Sequence, residues 1–169
     1  MHTVRYRRDT EQETMADPFD NPDPGAIDPE ALRRAEAVVE QLRWTYIREW
    51  APAAMKEIEA EVQAIDRAAR AEANGSAHCE IIARLTHDMK GQAGTFGLQL
   101  LHDFAESLHG LARQVETVGP REAAVFQAHA TAMRSVLSDI SSSPEAELDT
   151  ALERELRDGL RKLARLHFN

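Results

Sequence analysis

A histidine, a lysine and three glycines recur at short intervals in the middle of this 169-residue chain. Lys90 lies three residues after His87, and the glycines are Gly91, Gly94 and Gly97. Because residues three or four apart share one face of a helix, Lys90, Gly91 and Gly94 lie near the line along which His87 projects. An imidazole is a competent nucleophile near neutral pH. The spacing predicts a histidine that a bulky partner can reach, beside a cation that can offset a transferred negative charge.

The apolar residues around His87 predict that its side chain faces solvent. Ile81, Ile82, Leu85 and Met89 form one stripe, and His87 is displaced from it by about 200° around the helix. A surface histidine with no reactivity is the ordinary alternative. However, each glycine inside a helix costs roughly 1 kcal/mol relative to alanine. The presence of two glycines on this face therefore requires an explanation, and the usual one is the close approach of a partner or of a neighbouring helix.

The segment from His87 to Gly97 resembles the histidine phosphotransfer (HPt) domains of two-component phosphorelays. Their signature is His-x-x-Lys-Gly followed six residues later by another glycine, and Gly97 stands at that position. The run Gly94-Thr95-Phe96-Gly97 is especially similar to the phosphotransfer domain of chemotaxis histidine kinases. The resemblance implies a four-helix bundle that carries a phosphoryl group on His87, with Lys90 offsetting the charge of the phosphoryl oxygens.

The other ring nitrogen of His87 needs a hydrogen bond that fixes its tautomer. Glu106 and His109 are candidates, because they share a flank of the next helix that could reach back over Gly91 and Gly94. The chemotaxis domains carry a His and a Glu at these two positions in the opposite order. The sequence therefore leaves open which of Glu106 and His109 contacts His87.

Further polar residues lie near the predicted site. Gln92 and Thr95 could hydrogen-bond phosphate oxygens, although Gln92 is displaced from the His87 face. The predicted surface for partner access consists of Gly91, Gly94, Gln92 and Arg84. The remaining histidines have no metal-ligand spacing and are expected to be ordinary surface residues: His78, His102, His129 and His167.

Composition restricts the classes of protein to which the chain can belong. An apolar content of 43% with few aromatic residues is typical of a helical bundle. The net charge of −9 argues against nucleic acid as a partner, because such binding depends on clustered Lys and Arg. No segment has the roughly 20 apolar residues of a membrane span, and the N-terminus lacks a signal-peptide core. The single cysteine, Cys79, excludes an internal disulfide and is interpreted as a packing residue. We expect a soluble, cytoplasmic protein.

Apolar periodicity predicts an all-α protein, namely an antiparallel up-and-down four-helix bundle of the HPt type with additional N- and C-terminal helices. Residues 1–27 are polar, rich in proline and predicted to be a flexible tail. Residues 28–169 are predicted to form one helical domain, with the core bundle at about 53–142. Asp28 and Ser76 are predicted helix caps, and Pro52 is predicted to break or kink the chain. The predicted helices span about 29–50, 53–74, 77–95, 98–118, 121–142 and 144–167. Apolar stripes predict the buried face of the first, second, fourth and fifth of them: Leu32, Ala35, Val39, Leu42 and Tyr46; Met55, Ile58, Val62, Ile65 and Ala69; Leu101, Phe104, Leu108, Leu111 and Val115; Phe126, Ala130, Met133, Leu137 and Ile140.

These observations lead to a functional hypothesis: His87 accepts a phosphoryl group from a receiver aspartate or a sensor histidine kinase and passes it to a response-regulator receiver domain. The chain has no glycine-rich nucleotide loop, so the hypothesis describes a phosphocarrier and not an enzyme. No cofactor or metal is assigned to the chain, because any Mg²⁺ would be held by the acidic pocket of the partner receiver.

Two alternatives stay open, and a third is disfavoured. The run from His87 to Lys90 also resembles the start of the phosphoacceptor box of a histidine-kinase dimerisation segment, but Gly91 and Gln92 stand where that box has Asn or Thr and then Pro. The second alternative is a helical adaptor that docks on a receiver or kinase without carrying phosphate. A metal-dependent helical enzyme is disfavoured, because no Glu-x-x-His pair recurs on two helices.

Overall fold

The computed structural model describes residues 28–142 and 150–167 of the chain. Within these two ranges all regular structure is helical, which confirms the prediction of an all-α protein. The predicted tail at residues 1–27 and the predicted start of the last helix at Ser143-Pro144 lie outside the described residues. The helices are α1 (Pro29–Thr45), a π-helical turn (Tyr46–Trp50), α2 (Ala51–Arg70), α3 (Ser76–Thr95), α4 (Gln99–Gln114), α5 (Pro120–Ser142) and α6 (Thr150–His167). None of these helices is both long and apolar enough to cross a membrane.

Contacts divide the chain into two units, and the division falls after Ala37, within α1. In the first unit, the side chain of Asp28 caps the helix as predicted: its Oδ1 accepts a hydrogen bond from the N–H of Glu30 at 2.9 Å. Pro29 is the first residue of α1, where its fixed φ suits a helix and its missing N–H costs nothing. The second unit begins at Val38 and contains the predicted site.

The apolar stripe predicted for the first helix is not buried along α1. Leu32, Val39 and Leu42 are 48%, 53% and 44% exposed, and α1 has no buried residue. Burial begins one turn later, at Tyr46 and Ile47 of the π-helical turn. Periodicity identified the side of the helix on which the apolar residues lie, but it did not reveal whether another element covers that side.

Pro52 was predicted to break or kink the chain. It does not break it, because the backbone stays helical from α1 into α2. In the π-helical turn the N–H of Ala51 bonds to the carbonyl of Tyr46, five residues earlier. Pro52 follows as the second residue of α2. It has no N–H to donate, so the carbonyl one turn earlier receives no helical bond from it. The predicted cap at Ser76 is also wrong: Ser76 is the first residue of α3, and Asn74 Oδ1 accepts its N–H at 2.8 Å.

Two helices end earlier than the sequence predicted. The helix α2 stops at Arg70 because the chain turns at Glu72, whose φ of 53° lies in the left-handed region. The helix α4 stops at Gln114, and α5 begins at Pro120. At that start the side chain of Glu122 accepts the N–H of Gly119 at 3.0 Å.

The core lies among α2, α3, α4 and α5. α2 packs against α3 and α5, and α4 packs against the same two helices. The stripes predicted for α2, α4 and α5 are buried there: Met55, Ile58, Val62, Ile65 and Ala69; Leu101, Phe104, Leu108 and Leu111; Phe126, Ala130, Met133, Leu137 and Ile140. Val115, the last residue of the stripe predicted for the fourth helix, follows α4 and is only partly buried. α6 packs against α5 and α4 through Leu156, Leu160 and Leu163, and Arg157 forms an ion pair with Asp103 of α4 at 2.8 Å.

Candidate functional site

The core-facing side of α3 sets the direction of His87. Leu85, Thr86 and Met89 are buried, and the Thr86 hydroxyl donates to the carbonyl of Ile82 at 2.7 Å, so its burial leaves no polar atom unsatisfied. His87 is exposed, which confirms the sequence prediction. The same packing that buries the apolar stripe therefore presents the imidazole of His87 outward.

His109 of α4 is the aromatic neighbour of His87. The two ring centroids are 5.6 Å apart, with an angle of 49° between the ring planes. His109 Nδ1 lies 2.8 Å from the carbonyl oxygen of Ala83, and because a carbonyl only accepts, this nitrogen carries the proton. In the neutral ring, Nε2 is then the nitrogen that can accept a hydrogen bond.

Glu106 takes a different position, next to the lysine of the motif. Its Oε1 lies 3.9 Å from Lys90 Nζ, and its Oε2 lies 3.9 Å from His102 Nε2. Of the two candidates left open by the sequence, His109 therefore lies against His87, and Glu106 is the counter-ion of Lys90. Sequence alone could not separate them, because the difference depends on how α4 is rotated against α3.

Gly91 and Gly94 have different surroundings, although both were predicted to give a partner access. A Cβ built on Gly91 meets no atom of the described chain within 4 Å. A Cβ on Gly94 would lie 3.2 Å from His102 Nδ1, and this nitrogen is 2.9 Å from the carbonyl oxygen of Lys90. Close approach of α4 explains why position 94 is a glycine, whereas Gly91 faces open space.

Two clefts meet at His87. The polar cleft has a volume of about 660 Å³, and its lining includes Glu80, Arg84, His87, His109 and Arg113. The aromatic cleft has a volume of about 380 Å³ and is lined by Trp50, His87, Asp88, Gly91, Gln92, Thr95 and Phe96. The predicted access residues Arg84 and Gln92 thus line different clefts. The hydroxyl of Thr95 donates to the carbonyl of Gly91 at 3.0 Å, so that proton is already used within α3.

The π-helical turn contributes to the aromatic cleft, and the sequence analysis did not include it in the site. Tyr46 is buried, its hydroxyl donates to the carbonyl of Met89 at 3.2 Å, and its ring lies 5.4 Å from that of Phe96. Burial raises the pKa of the Tyr46 phenol, so it stays neutral and can keep donating. Trp50, four residues later, is 51% exposed. A large aromatic residue at the end of an apolar stripe was the only sequence signal for this contribution.

The prediction that all remaining histidines lie on the surface is wrong for His129, which is 1% exposed. It follows Phe126 by three residues and precedes Met133 by four, so it lies on the core face of α5. Its Nδ1 is 2.8 Å from the carbonyl oxygen of Val125 and its Nε2 is 2.9 Å from Ser107 Oγ, so burial leaves both nitrogens hydrogen-bonded.

The other histidines and the cysteine have ordinary surroundings. His78 is 2.7 Å from a carboxylate oxygen of Glu61 and His102 is partly buried, while the side chain of His167 lies outside the described residues. Burial raises the pKa of the Cys79 thiol, as suits a packing residue. Among the described residues, no three His, Cys, Asp or Glu side chains form a group that could hold a metal ion.

No protein-family model, curated protein or solved structure matches this chain.

Proposed function

We propose that the protein is a histidine phosphotransfer protein, in which His87 accepts a phosphoryl group from a receiver aspartyl phosphate or a sensor kinase and donates it to a response-regulator receiver. The observation that carries the proposal is the position of His87: it is exposed on α3, beside an imidazole that can orient it and next to a glycine that leaves space for a partner. The resemblance of the His87–Gly97 segment to HPt domains supports the same assignment.

The proposal includes a finer description of the fold. The helices of 16 to 23 residues are joined by connections of three to five residues, and such short connections favour antiparallel neighbours. The pairing of α2 with α3 and α5, and of α4 with the same two helices, suits an antiparallel four-helix bundle. In this arrangement α3 and α4 are neighbours, as the site requires.

The proposed transfer is a substitution at phosphorus. The unprotonated ring nitrogen of His87 attacks the phosphorus of the aspartyl phosphate, the N–P bond forms, and the P–O bond to the aspartate breaks, with the carboxylate leaving with the electron pair. The remaining N–H of His87 can donate to Nε2 of His109, which stabilises the positive charge that develops on the ring. Transfer to the next receiver reverses these steps, so no ATP is consumed on this chain.

Lys90 is proposed to offset the charge of the phosphoryl oxygens. Its ion pair with Glu106 spans 3.9 Å, and the carboxylate side chain is 62% exposed. Exposed pairs of this kind contribute at most about 1 kcal/mol. A phosphoryl group carries more charge than the carboxylate and has three acceptor oxygens, so it can compete for the ammonium group.

A non-phosphorylated helical adaptor is the second candidate. Val38, Val39 and Leu42 of α1 are each at least 44% exposed, and exposed apolar residues on one helix suit a docking segment. Such an adaptor would bind a receiver or a kinase equally well with and without the imidazole of His87.

Phosphotransfer from radiolabelled receiver domains tests the proposal. We expect acid-labile label on the wild-type protein, no label on His87→Gln, and wild-type label on His78→Gln, which removes a histidine paired with Glu61 instead. His87→Gln should keep the wild-type helicity and melting temperature, because an exposed side chain contributes little to the core. The phosphocarrier proposal fails if His87→Gln retains the label, or if no receiver from the same genome labels the wild-type protein. Equal receiver binding by the unlabelled wild-type protein and His87→Gln would then favour the adaptor.

A further inference from the structure

The aromatic cleft, which His109 does not line, contains an exposed tryptophan together with His87. Trp50 is 51% exposed and lines the same cleft as His87 and the open backbone of Gly91. Tryptophan is among the residues most enriched in binding hot spots, whereas a single exposed apolar residue elsewhere on a surface needs no explanation. Its position beside the reactive ring therefore calls for a functional explanation.

The backbone that carries Trp50 is held firmly against α3. Tyr46 begins the π-helical turn, and its hydroxyl bonds to the carbonyl of Met89, two residues from His87. The ring of Tyr46 also packs against Phe96, and Ile47 is fully buried. One side of the turn is thus fixed in the core, while the other side presents Trp50 at a defined place next to His87. A pre-positioned aromatic side chain loses little conformational entropy when a partner binds.

We propose that Trp50 is the apolar anchor of the surface on which a phosphoryl donor or acceptor docks, and that its occupant is a receiver domain with an apolar side chain beside its phosphorylated aspartate. This inference rests on the proposed function. A receiver that brings phosphorus to the exposed ring of His87 must approach over the open space at Gly91, and Trp50 lines that same cleft. A second copy of the chain seated there would cover His87 and obstruct transfer.

Trp50→Ala separates docking from the chemistry of His87. With a receiver that labels the wild-type protein, we expect calorimetry to show binding to Trp50→Ala weakened about tenfold or more, and the transfer rate at low receiver concentration to fall in parallel. Labelling of His87 by phosphoramidate should be unchanged, because a small donor needs no docking surface. Leu42→Ala is the matched control, since Leu42 is 44% exposed on α1 and does not line the aromatic cleft; it should bind the receiver like the wild type.

Each other outcome overturns a defined part of the proposal. Wild-type receiver affinity in both Trp50→Ala and Trp50→Gln, each with wild-type helicity, would remove Trp50 from the docking surface while leaving phosphotransfer intact. Equal weakening by Leu42→Ala would locate docking on α1 instead. A wild-type dimer in sedimentation that dissociates in Trp50→Ala would assign the cleft to a second copy of the chain. Absence of label on His87 from both receiver and phosphoramidate would contradict the proposed function itself.

Discussion

The polar cleft and the aromatic cleft share His87 but offer it different surroundings. On the polar side, the ring of His109 is the neighbour of the His87 ring, and its own orientation is fixed by the carbonyl of Ala83. On the aromatic side, Gly91 leaves open space and Trp50 is exposed. One side can thus orient the imidazole and the other can admit a partner. A surface histidine can be both oriented by a neighbour and accessible to a partner when the neighbour and the open space line different clefts, as they do at His87.

Blocking the aromatic cleft should have the largest effect on transfer between proteins. Gly91→Leu places a branched side chain where a partner must approach, and a misplacement of about 1 Å can slow a reaction by about 100-fold. We expect a loss of about this size in transfer from a receiver, measured by rapid-quench labelling, and little change in labelling by phosphoramidate. The melting temperature should rise, because leucine is a better helix former than glycine.

Gly159→Leu provides the control for that substitution. A Cβ on Gly159 of α6 also meets no atom of the described chain within 4 Å, but this glycine lines neither the polar nor the aromatic cleft. The Gly159→Leu variant should therefore accept the phosphoryl group from a receiver at the wild-type rate. If Gly91→Leu also transfers normally, the partner does not approach over the aromatic cleft and the comparison is wrong.

Changing the polar cleft should have a smaller effect that is the same for both kinds of donor. His109→Phe keeps a ring but removes the acceptor for the His87 N–H, and the loss of one hydrogen bond of about 1.4 kcal/mol corresponds to about tenfold in rate. We expect this deficit with a receiver and with phosphoramidate alike. His109→Glu keeps an acceptor and should recover most of the rate.

A purely structural role for His109 predicts a different pattern. His109→Phe and His109→Glu would then lower the melting temperature together, and neither would change the transfer rate of the folded protein. Wild-type rates in both variants would leave His87 without an orienting partner on α4.

Lys90 should have the smallest effect, because its charge is already paired with the exposed carboxylate of Glu106. Lys90→Ala should slow transfer by up to about fivefold at low salt, as expected for a charge interaction of at most about 1 kcal/mol. Lys90→Arg should retain most of the rate, and added salt should narrow the deficit of the alanine variant. Equal transfer by all three proteins at low salt would exclude Lys90 from the site.

Much of the helical framework follows from local pattern. The stripes of α2, α4 and α5 are buried as predicted, because only one face of each helix is apolar enough to enter the core. The exposure of His87 follows from the same argument, since its neighbours Leu85 and Met89 are buried. These properties depend on a single helix and its own sequence, so periodicity is sufficient to predict them.

Other features of the site depend on how helices meet, and periodicity contains no such information. The choice between Glu106 and His109 requires the rotation of α4 against α3, and the reason for Gly94 requires the position of His102. The π-helical turn escaped prediction because Pro52 suggested an end or kink of the helix there, so the apolar pattern before and after it was treated as two separate helices. His129 could have been predicted as buried from its spacing to Phe126 and Met133, but its polar side chain suggested a surface position.

The central claim is that His87 carries a phosphoryl group, and locating that group on the protein tests it most directly. The protein is incubated with a phosphorylated receiver, digested at neutral to alkaline pH, which preserves phosphohistidine, and sequenced by tandem mass spectrometry. We expect one phosphorylated peptide, which contains His87 with the phosphoryl group on its imidazole. We expect no phosphorylated peptide from His87→Gln. A phosphoryl group located on another histidine, such as His102 or His78, or on no histidine at all, would contradict the account.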